Sequence, residues 1–515
     1  MNLDDIDVEK LPDSPEFLKK FISDLMSEAA SFKQKYWRLL EEWRLSKQRA
    51  FSPSSEKNPL QPELFDEAGV ELPEEVRATL EEDDIEVKGH VRKKQAARRL
   101  LPPDLPREVI LHDISEEEKQ CGCGHALERI GEEVTEQLKF IPASISVIQH
   151  VRPKYACKPC QQTVKIAPMP VLLLPKTMAT PELVAHTIVS KYIDHLPLHR
   201  QESIWERTGI QLPKSSLCGW VIKTAELCKP LIDLLQKDIA ASHYAQADET
   251  TLQVLQEVGR ANTAKSYMWI YYGCSAKPSV VFEYQETRAG MHAREFLQGF
   301  SGYLQTDAYS GYGWVENEKN IFSAGCMAHA RRPFAELAKL TKNSGLAHDA
   351  LKFFRKLYAI EKEARENSLS SEMRYRLRLE KAPPVLAAFR KWLENNLSKA
   401  SDQGKIGKSI RYCITHWDNL TCYLKDGIIE IDNNRVENLI RPFAVGRKNW
   451  QFAGSPSGAK AGAIFYSLIA TCRANGVDPW QYFITMLHQI RLCKSEADYQ
   501  KLLPQNISLP ENPAV

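Results

Sequence analysis

The sequence changes character at about residue 243, and this change limits the possible folds more than any other feature of the chain. Short segments rich in β-branched and aromatic residues follow one another from that point, which is a pattern typical of short strands. We predict strands at residues 251–255, 267–274, 279–284, 302–309 and 321–326, and a helix at 291–298. Three strands, a helix, a strand and a helix predict a mixed sheet with helices packed on it.

Helices are predicted before this sheet, within residues 181–240. They cover residues 181–192, 199–208 and 214–237, and a glycine turn at Gly209 separates the second from the third. A helix, a short turn and another helix form the helix-turn-helix pattern, so this segment is a candidate DNA-binding segment. An ordinary helical hairpin has the same pattern, and the sequence leaves both interpretations open.

Helical patterns also follow the predicted strands. Residues 335–425 are almost wholly helical in pattern, with an expected interruption at Pro383-Pro384, and we interpret them as an insertion into a core spanning residues 243–453. Residues 455–495 form a predicted C-terminal helical segment. Because 515 residues exceed one ordinary domain, the predicted fold class is multidomain α+β.

The N-terminal residues carry a heptad pattern. Within residues 14–50, apolar residues from Leu18 to Trp43 alternate at spacings of four and three, which predicts a coiled coil and hence a homodimer or higher oligomer. The alternative is an amphipathic helix packed on its own domain. Residues 51–120 form a charged, proline-rich linker, in which the basic block at 88–107 offers candidate phosphate contacts at Arg92, Lys93 and Lys94. A solvated linker explains that block equally well.

Four of the twelve cysteines are clustered in residues 121–175. Two close pairs, Cys121 with Cys123 and Cys157 with Cys160, are spaced as the ligands of one structural zinc ion. A predicted strand at 144–150 lies between them and indicates a zinc-ribbon-like module. The first pair is separated by one residue rather than two, and His125 is a possible substitute ligand.

Charge, hydropathy and the remaining cysteines predict a cytoplasmic protein with no membrane partner. Met1 is followed by acidic residues rather than by a basic patch and an apolar run. No stretch approaches the roughly 18 apolar residues of a membrane span. The other eight cysteines are scattered singly, as expected in a reducing compartment. The formal net charge of +2 gives no indication of nucleic acid by itself.

Three acidic residues stand out by their context. Asp248 and Asp307 lie on the first and fourth predicted strands, and Glu437 lies in the first turns of a helix that begins after Asp432 or Asn433. Carboxylates from separate elements can hold two magnesium ions for an in-line displacement at a phosphodiester. The alternatives are a solvated strand-end aspartate and, for Glu437, a helical ion pair with Arg441.

Basic and aromatic residues near these carboxylates are candidate DNA contacts. The alternatives are a solvated basic helix face with Trp450 in the core, and a buried, hydrogen-bonded His329. The candidates are Arg441, Arg447, Lys448, Trp450, His329, Arg331 and Arg332.

Five segments resemble the transposases of insertion-sequence 66 elements. They are ADET at 247–250, GYLQTDAYSGY at 302–312, CMAHARRPF at 326–334, IDNNRVENLIRP at 431–442 and GRKNW at 446–450. The resemblance implies a ribonuclease H-like core with a helical insertion, a zinc-finger segment and accessory proteins from the same element. It implies that Asp248, Asp307 and Glu437 are the DDE triad, using magnesium or manganese. Met327 stands where the family usually has Trp, at an expected packing position.

The expected function is that of a DNA transposase, which cleaves at transposon ends and joins the freed 3′ hydroxyl to target DNA. Two alternatives stay open. One is a ribonuclease H-like nuclease that hydrolyses DNA without strand transfer. The other is a catalytically silent repressor descended from a transposase, against which the presence of all three carboxylates argues.

Overall fold

The structure is a computed structural model. It divides into two compact units, one within residues 73–170 and one comprising the rest of the chain. None of the helices in the described part is long and apolar enough to cross a membrane. The described residues are 15–16, 19–26, 29, 32, 36, 146–152, 154–156, 164–166, 168–340, 345–398, 400 and 404–509.

The unit within residues 73–170 contains a short antiparallel hairpin. Strand β1, Lys154–Ala156, pairs with strand β2, Val164–Ile166. The strand expected at 144–150 is wrong over its described part, because residues 146–150 have no regular secondary structure and the ladder here joins β1 to β2. Cys121, Cys123, Cys157 and Cys160 lie outside the described residues, as do Arg92, Lys93 and Lys94.

The predicted coiled coil lies only partly within the described residues. Residues 15–16, 19–26, 29, 32 and 36 are helical, as predicted. Of the heptad positions, Ile22, Phe32 and Tyr36 are exposed. Pairing of two such helices stays a prediction.

Three helices precede the large sheet, close to their predicted bounds. Helix α1 is Pro181–Tyr192, α2 is Leu198–Arg207 and α3 is Lys214–Ala240. Helix α1 begins where Thr180 accepts the backbone N–H of Leu183, which is the usual capping arrangement. The turn between α2 and α3 needs Gly209, whose φ is 82°.

The large sheet has five strands in the order β5-β4-β3-β6-β7. Strand β4 is antiparallel to β3 and β5, whereas β6 and β7 run parallel to the central strand β3. Helix α4, Gly290–Phe296, connects β5 to β6. The strands are β3 Tyr244–Gln253, β4 Lys265–Gly273, β5 Ser279–Gln285, β6 Gly302–Gln305 and β7 Ile321–Ala324.

A helical insertion follows β7 and has its own hydrophobic cluster, which includes Phe334, Phe354 and Phe389. The expected break at Pro383-Pro384 is wrong, because α7 continues through both prolines. A proline has no N–H, so the carbonyls four residues earlier, at Leu379 and Glu380, lose their helical hydrogen bonds. Both prolines and both of these residues are exposed. The helices are α5 Met327–Leu340, α6 Leu346–Glu366, α7 Ser371–Leu397, α8 Lys405–Thr415 and α9 Trp417–Thr421.

The remaining helices return the chain to the sheet, and α1, α3, α11 and α12 share one hydrophobic core with it. The segments predicted before and after the sheet are therefore packed together. The helices are α10 Asn434–Trp450, α11 Pro456–Ala474, α12 Pro479–Gln489 and α13 Glu496–Lys501.

Helix α11 covers the edge strand β5 with a polar stripe. The Ser467 hydroxyl accepts the N–H of Phe282 at 2.7 Å, and the Thr471 hydroxyl accepts that of Val280 at 3.1 Å. Ser467 and Thr471 are four residues apart on the helix, a rise of about 6 Å, and Val280 and Phe282 are two residues apart on the strand, a rise of about 6.7 Å. The two spacings are similar, so consecutive helical turns meet alternate strand residues. This stripe hydrogen-bonds the outer backbone groups of an edge strand, which otherwise invite pairing with other chains.

Candidate active site

The register between β3 and β6 places Asp248, in the middle of β3, close to Asp307, which lies just past the end of β6. The parallel pairing sets Gln246 opposite Gln305. Each aspartate lies two residues farther along its own chain, so Asp307 follows β6 at about the level that Asp248 occupies in β3. The two acidic positions singled out in the sequence are therefore neighbours in the fold.

Asp307 lies beyond the end of its strand, not on it. We expected a strand at 302–309, whereas β6 ends at Gln305. Thr306 still donates its N–H to the carbonyl of Ala324 at 3.1 Å, but the Asp307 carboxylate then accepts the N–H of Tyr309 at 3.1 Å. That local turn competes with the ladder and ends the pairing.

Glu437 lies in the first turn of α10, as predicted, and is buried. The helix begins after Asn433, whose side chain makes no capping hydrogen bond. The Asp432 carboxylate accepts the N–H of Asn434 instead, at 3.2 Å. A carboxylate at this end of a helix is also favoured by the helix dipole.

The charges that act on Asp248 indicate that Glu437 and Asp307 lie near it. Burial raises the pKa of the Asp248 carboxyl well above its usual range, and the charges of Glu249, Glu437 and Asp307 raise that pKa further. Within the described residues Asp248 has no ion pair of its own. A buried carboxylate among other carboxylates is costly unless a cation is supplied.

Two basic residues on α5 face Glu437. The Arg332 guanidinium lies 3.5 Å from Glu437 Oε2, and His329 Nδ1 lies 3.6 Å from Oε1. Burial, followed by the charge of Arg332, lowers the pKa of His329 to about 4, although Asp307 opposes that shift. The imidazole is therefore neutral at neutral pH. Its Nδ1 is buried and faces the Glu437 carboxylate.

The donor chemistry of the group fits a hard divalent cation. Asp248, Asp307 and Glu437 offer only oxygen ligands from three separate elements, which is the set that magnesium and manganese prefer. In this conformation Glu437 faces Arg332 and His329. Across the described ranges, no group of three or more His, Cys, Asp or Glu side chains is arranged to hold a metal ion as it stands.

Glu249, a half-buried residue whose side chain is almost fully covered, also belongs to this site and was not among the predicted site residues. Its carboxylate accepts hydrogen bonds from Arg288 Nε at 2.7 Å and from the Tyr312 hydroxyl at 2.9 Å. The Arg288 guanidinium in turn lies 3.6 Å from the centre of the Tyr309 ring. These contacts tie β3 to the turn after Asp307. The only sequence signal was the position of Glu249 next to Asp248.

The candidate DNA contacts on α10 have different surroundings. Arg447 donates to the Thr250 hydroxyl at 3.1 Å and to the Thr251 carbonyl, so it ties α10 to β3. Trp450 packs against the core, edge-on to Phe443 at 5.6 Å between ring centres, which is the interpretation left open for it. Lys448 is exposed, whereas Arg441, Arg331 and Arg332 are half-buried. Met327 is fully buried, so the expected packing position is confirmed.

Comparison with known families gives four matches along the chain. The model described as "Transposase IS66 family" matches residues 176–461, and the zinc-finger binding domain of transposase IS66 matches 118–161. The IS66 C-terminal element matches residues 467–505, and a segment described as "Transposase C of IS166 homeodomain" matches 38–110.

Relatives from Sinorhizobium fredii resemble most of the chain, and each is described only as an uncharacterized protein. One, y4jD, is 35% identical over 416 residues, covering 78% of this chain and 80% of its own length. A second, y4hP, is 31% identical over 458 residues, covering 83% and 81%. The match to the transposase model covers more than half of the sequence. The chain therefore belongs to the IS66 family of transposases.

Proposed function

We propose that this protein is a DNA transposase whose Asp248, Asp307 and Glu437 form the catalytic triad. The observation that carries the proposal is the proximity of Glu437 and Asp307 to Asp248, whose pKa is raised by burial and by the charges of Glu249, Glu437 and Asp307. Membership of the family supports the assignment of DNA as the partner. The substrates are transposon terminal inverted repeats and target DNA.

The strand order supports a ribonuclease H-like core. Three antiparallel strands followed by two strands parallel to the first, in the order β5-β4-β3-β6-β7, are the arrangement that this fold requires. The helical insertion lies between β7 and the helix that carries Glu437. Asp248 thus comes from β3, Asp307 from the turn directly after the neighbouring strand β6, and Glu437 from the first turn of α10.

The three carboxylates would hold two magnesium or manganese ions. Such ions, when bound, activate the attacking oxygen and stabilise the leaving oxygen at a phosphodiester. Arg332 and His329 lie beside Glu437, where the guanidinium would attract a backbone phosphate and the neutral imidazole would offer a hydrogen bond. Arg331, Arg441 and Lys448, on the same two helices, are proposed to contact the DNA backbone. No covalent protein–DNA intermediate is needed, because positioning and charge supply the activation.

Strand transfer is the reaction that tests this proposal. A labelled duplex carrying an end of the element, incubated with the full chain, magnesium and a target plasmid, is expected to yield nicked ends and then joined products. Hydrolysis without joining would replace the proposal with a ribonuclease H-like nuclease. Binding that needs no metal and gives no nicking would replace it with a silent repressor.

The four clustered cysteines are proposed to bind one structural zinc ion. The zinc-finger match at 118–161 contains Cys121, Cys123, Cys157 and Cys160. We expect about one zinc per purified chain, and Cys157→Ser is expected to lose most of it because a tetrahedral site needs all four ligands. Elemental analysis measures this. Cys218→Ser, at a free cysteine of α3, is the matched control and should keep the metal. A zinc content near zero in the wild type would contradict the assignment.

The remaining parts of the proposal concern assembly and location. The N-terminal helix is proposed to pair protomers as a coiled coil, and the helices of residues 181–240 to bind the transposon ends. We propose a cytoplasmic location, with accessory proteins of the same element as possible partners. Light scattering of the full chain and of a chain lacking residues 14–50 tests the pairing, because equal masses would rule it out.

A further inference from the structure

Three polar side chains are completely buried at the centre of the sheet. Tyr244 and Gln246 lie on β3, Gln305 lies on β6, and all three have no exposed surface. Polar groups at such depth are costly unless they are fully hydrogen-bonded. Their contacts therefore show what this polar centre holds together.

The three side chains bond to one another across the two parallel strands. The Gln246 amide donates to the Tyr244 hydroxyl at 2.7 Å and to the Gln305 carbonyl oxygen at 2.9 Å. The Tyr244 hydroxyl also donates to the Gln305 carbonyl oxygen. Adjacent strands are thus joined by side chains as well as by their backbone ladder.

The same side chains hold the segment that leads into α10. Gln305 Nε2 donates to the carbonyls of Glu430, at 2.9 Å, and Gly325, at 3.0 Å. The Tyr244 hydroxyl accepts the N–H of Glu430 at 3.2 Å. The position of residues 430–432 is therefore set by the sheet, although these residues are far from it in the sequence.

Gln246 also caps α10, in addition to the local cap that Asp432 provides for Asn434. Its Oε1 accepts the N–H of Val436 at 3.1 Å, and its Nε2 lies 3.3 Å from the carbonyl oxygen of Asp432. The N-terminal N–H groups of a helix need acceptors, and the side chain of Asn433, at the N-cap, provides none. A strand side chain from β3 thus anchors the first turn of the helix that carries Glu437.

We infer that Gln246, Gln305 and Tyr244 are positioning residues that fix the three carboxylates relative to one another. Gln246 lies two residues before Asp248 on the same face of β3, and Gln305 lies two residues before Asp307. Val436, held by Gln246, is adjacent to Glu437. One hydrogen-bonded unit therefore reaches the immediate neighbourhood of all three acidic residues. This inference rests on the proposed function, because it assigns a role in the reaction.

The decisive variant is Gln246→Met, which keeps the length of the side chain and removes all of its hydrogen bonds. A misplacement of about 1 Å can cost about 10²-fold in rate. We therefore expect DNA cleavage to fall about 10²-fold, and the magnesium concentration for half-maximal cleavage to rise. Affinity for element-end DNA should stay unchanged.

The matched control is Gln236→Met on α3. The side chain of Gln236 donates to the carbonyl of Phe296 at 2.8 Å, away from the three carboxylates. It is expected to lower the unfolding temperature slightly, through the loss of one hydrogen bond, and to leave the magnesium requirement unchanged. Hydrogen–deuterium exchange gives a readout that needs no activity. Residues 434–437 should exchange at least about tenfold faster in Gln246→Met than in the control, because the cap of Val436 is lost.

A second variant covers the case in which Gln246→Met does not fold. Tyr244→Phe keeps the ring in place and removes only the shared hydroxyl, and it should raise the magnesium requirement in the same direction. If the wild type cleaves DNA while both folded variants match the control in rate, magnesium requirement and exchange, the positioning role is overturned and the proposed function stands. If the wild type itself never cleaves, the proposed function falls and the inference falls with it.

Discussion

Asp248→Asn is expected to abolish DNA cleavage while leaving the fold and the binding of element ends intact. Asparagine has nearly the same shape, and its carbonyl oxygen can still accept the N–H of Glu249, which now bonds to the carboxylate at 2.8 Å. What disappears is the negative charge that a cation would need. Metal ions supply several kcal/mol of transition-state stabilisation, so the loss in cleavage rate should be about 10³-fold or more.

The same variant should not lower the free energy of unfolding of the metal-free protein. The pKa of Asp248 is raised by burial and then by Glu249, Glu437 and Asp307, so at any pH above its unfolded-state pKa this carboxyl group lowers the free energy of unfolding. A neutral amide removes that cost, and the unfolding temperature should be unchanged or higher. If the loss of cleavage were caused by misfolding, the unfolding temperature of the variant would instead be lower than that of the wild type.

The control for this prediction is Asp233→Asn, at an exposed aspartate of α3. Both variants are compared with the wild type by single-turnover cleavage, by affinity for element-end DNA and by thermal unfolding. Glu437→Gln is expected to lose cleavage to a similar extent. Cleavage by either variant at the wild-type rate would show that the triad is assigned wrongly.

Most of the sheet was predictable because local sequence carries its signals, although β3 begins at Tyr244 rather than at the predicted residue 251. Alternating β-branched and aromatic residues indicate strands, and the turn after Asp307 shortened β6 without moving the aspartate from the end of the sheet. The Pro383-Pro384 break was a reasonable prediction from local rules. It was wrong because both prolines are exposed on a helix whose other face packs in the insertion, and packing outweighed the loss of two helical hydrogen bonds.

The arrangement around the aspartates was not predictable, because it depends on contacts between distant residues. Nothing local indicates that Gln246 caps a helix beginning at Asn434, since Gln246 and Val436 are far apart in the sequence and meet only through the register of β3 with β6. The same holds for Glu249, whose partner Arg288 follows two further strands. A sequence pattern identifies an acidic residue, but the surroundings that position its side chain are a property of the folded sheet.

The second large effect is expected at Arg378, a charged residue that is completely buried in the helical insertion. Its guanidinium forms a bidentate ion pair with the Glu361 carboxylate, with N–O distances of 2.7 and 2.8 Å. Its Nη1 also donates to the carbonyls of Tyr423, at 2.8 Å, and Ile429, at 2.8 Å. One arginine thus joins α6 and α7 to the segment that leads into the active-site helix.

Arg378→Met is expected to destabilise the protein by about 3–5 kcal/mol, which is typical when one partner of a buried ion pair is removed. The side chain of Glu361 and the two carbonyls would lose their buried donors. Denaturant unfolding measures the loss. Limited proteolysis should show earlier cleavage within residues 422–431, because that segment loses its anchor.

Two further variants separate a buried ion pair from a general effect of losing an arginine. Arg376→Met removes an exposed pair with Glu372, 3.1 Å apart on the same helix, and should cost less than about 1 kcal/mol. The double variant Arg378→Met with Glu361→Gln should recover part of the loss, because no unpaired charge then stays buried. Equal destabilisation by Arg376→Met and Arg378→Met, or a double variant worse than the sum of its parts, would contradict this account. Arg378→Met should lower the rate of DNA cleavage only to the extent that residues 430–437 are displaced. The cleavage rates of these variants therefore measure how strongly the helical insertion holds the active-site segment in place.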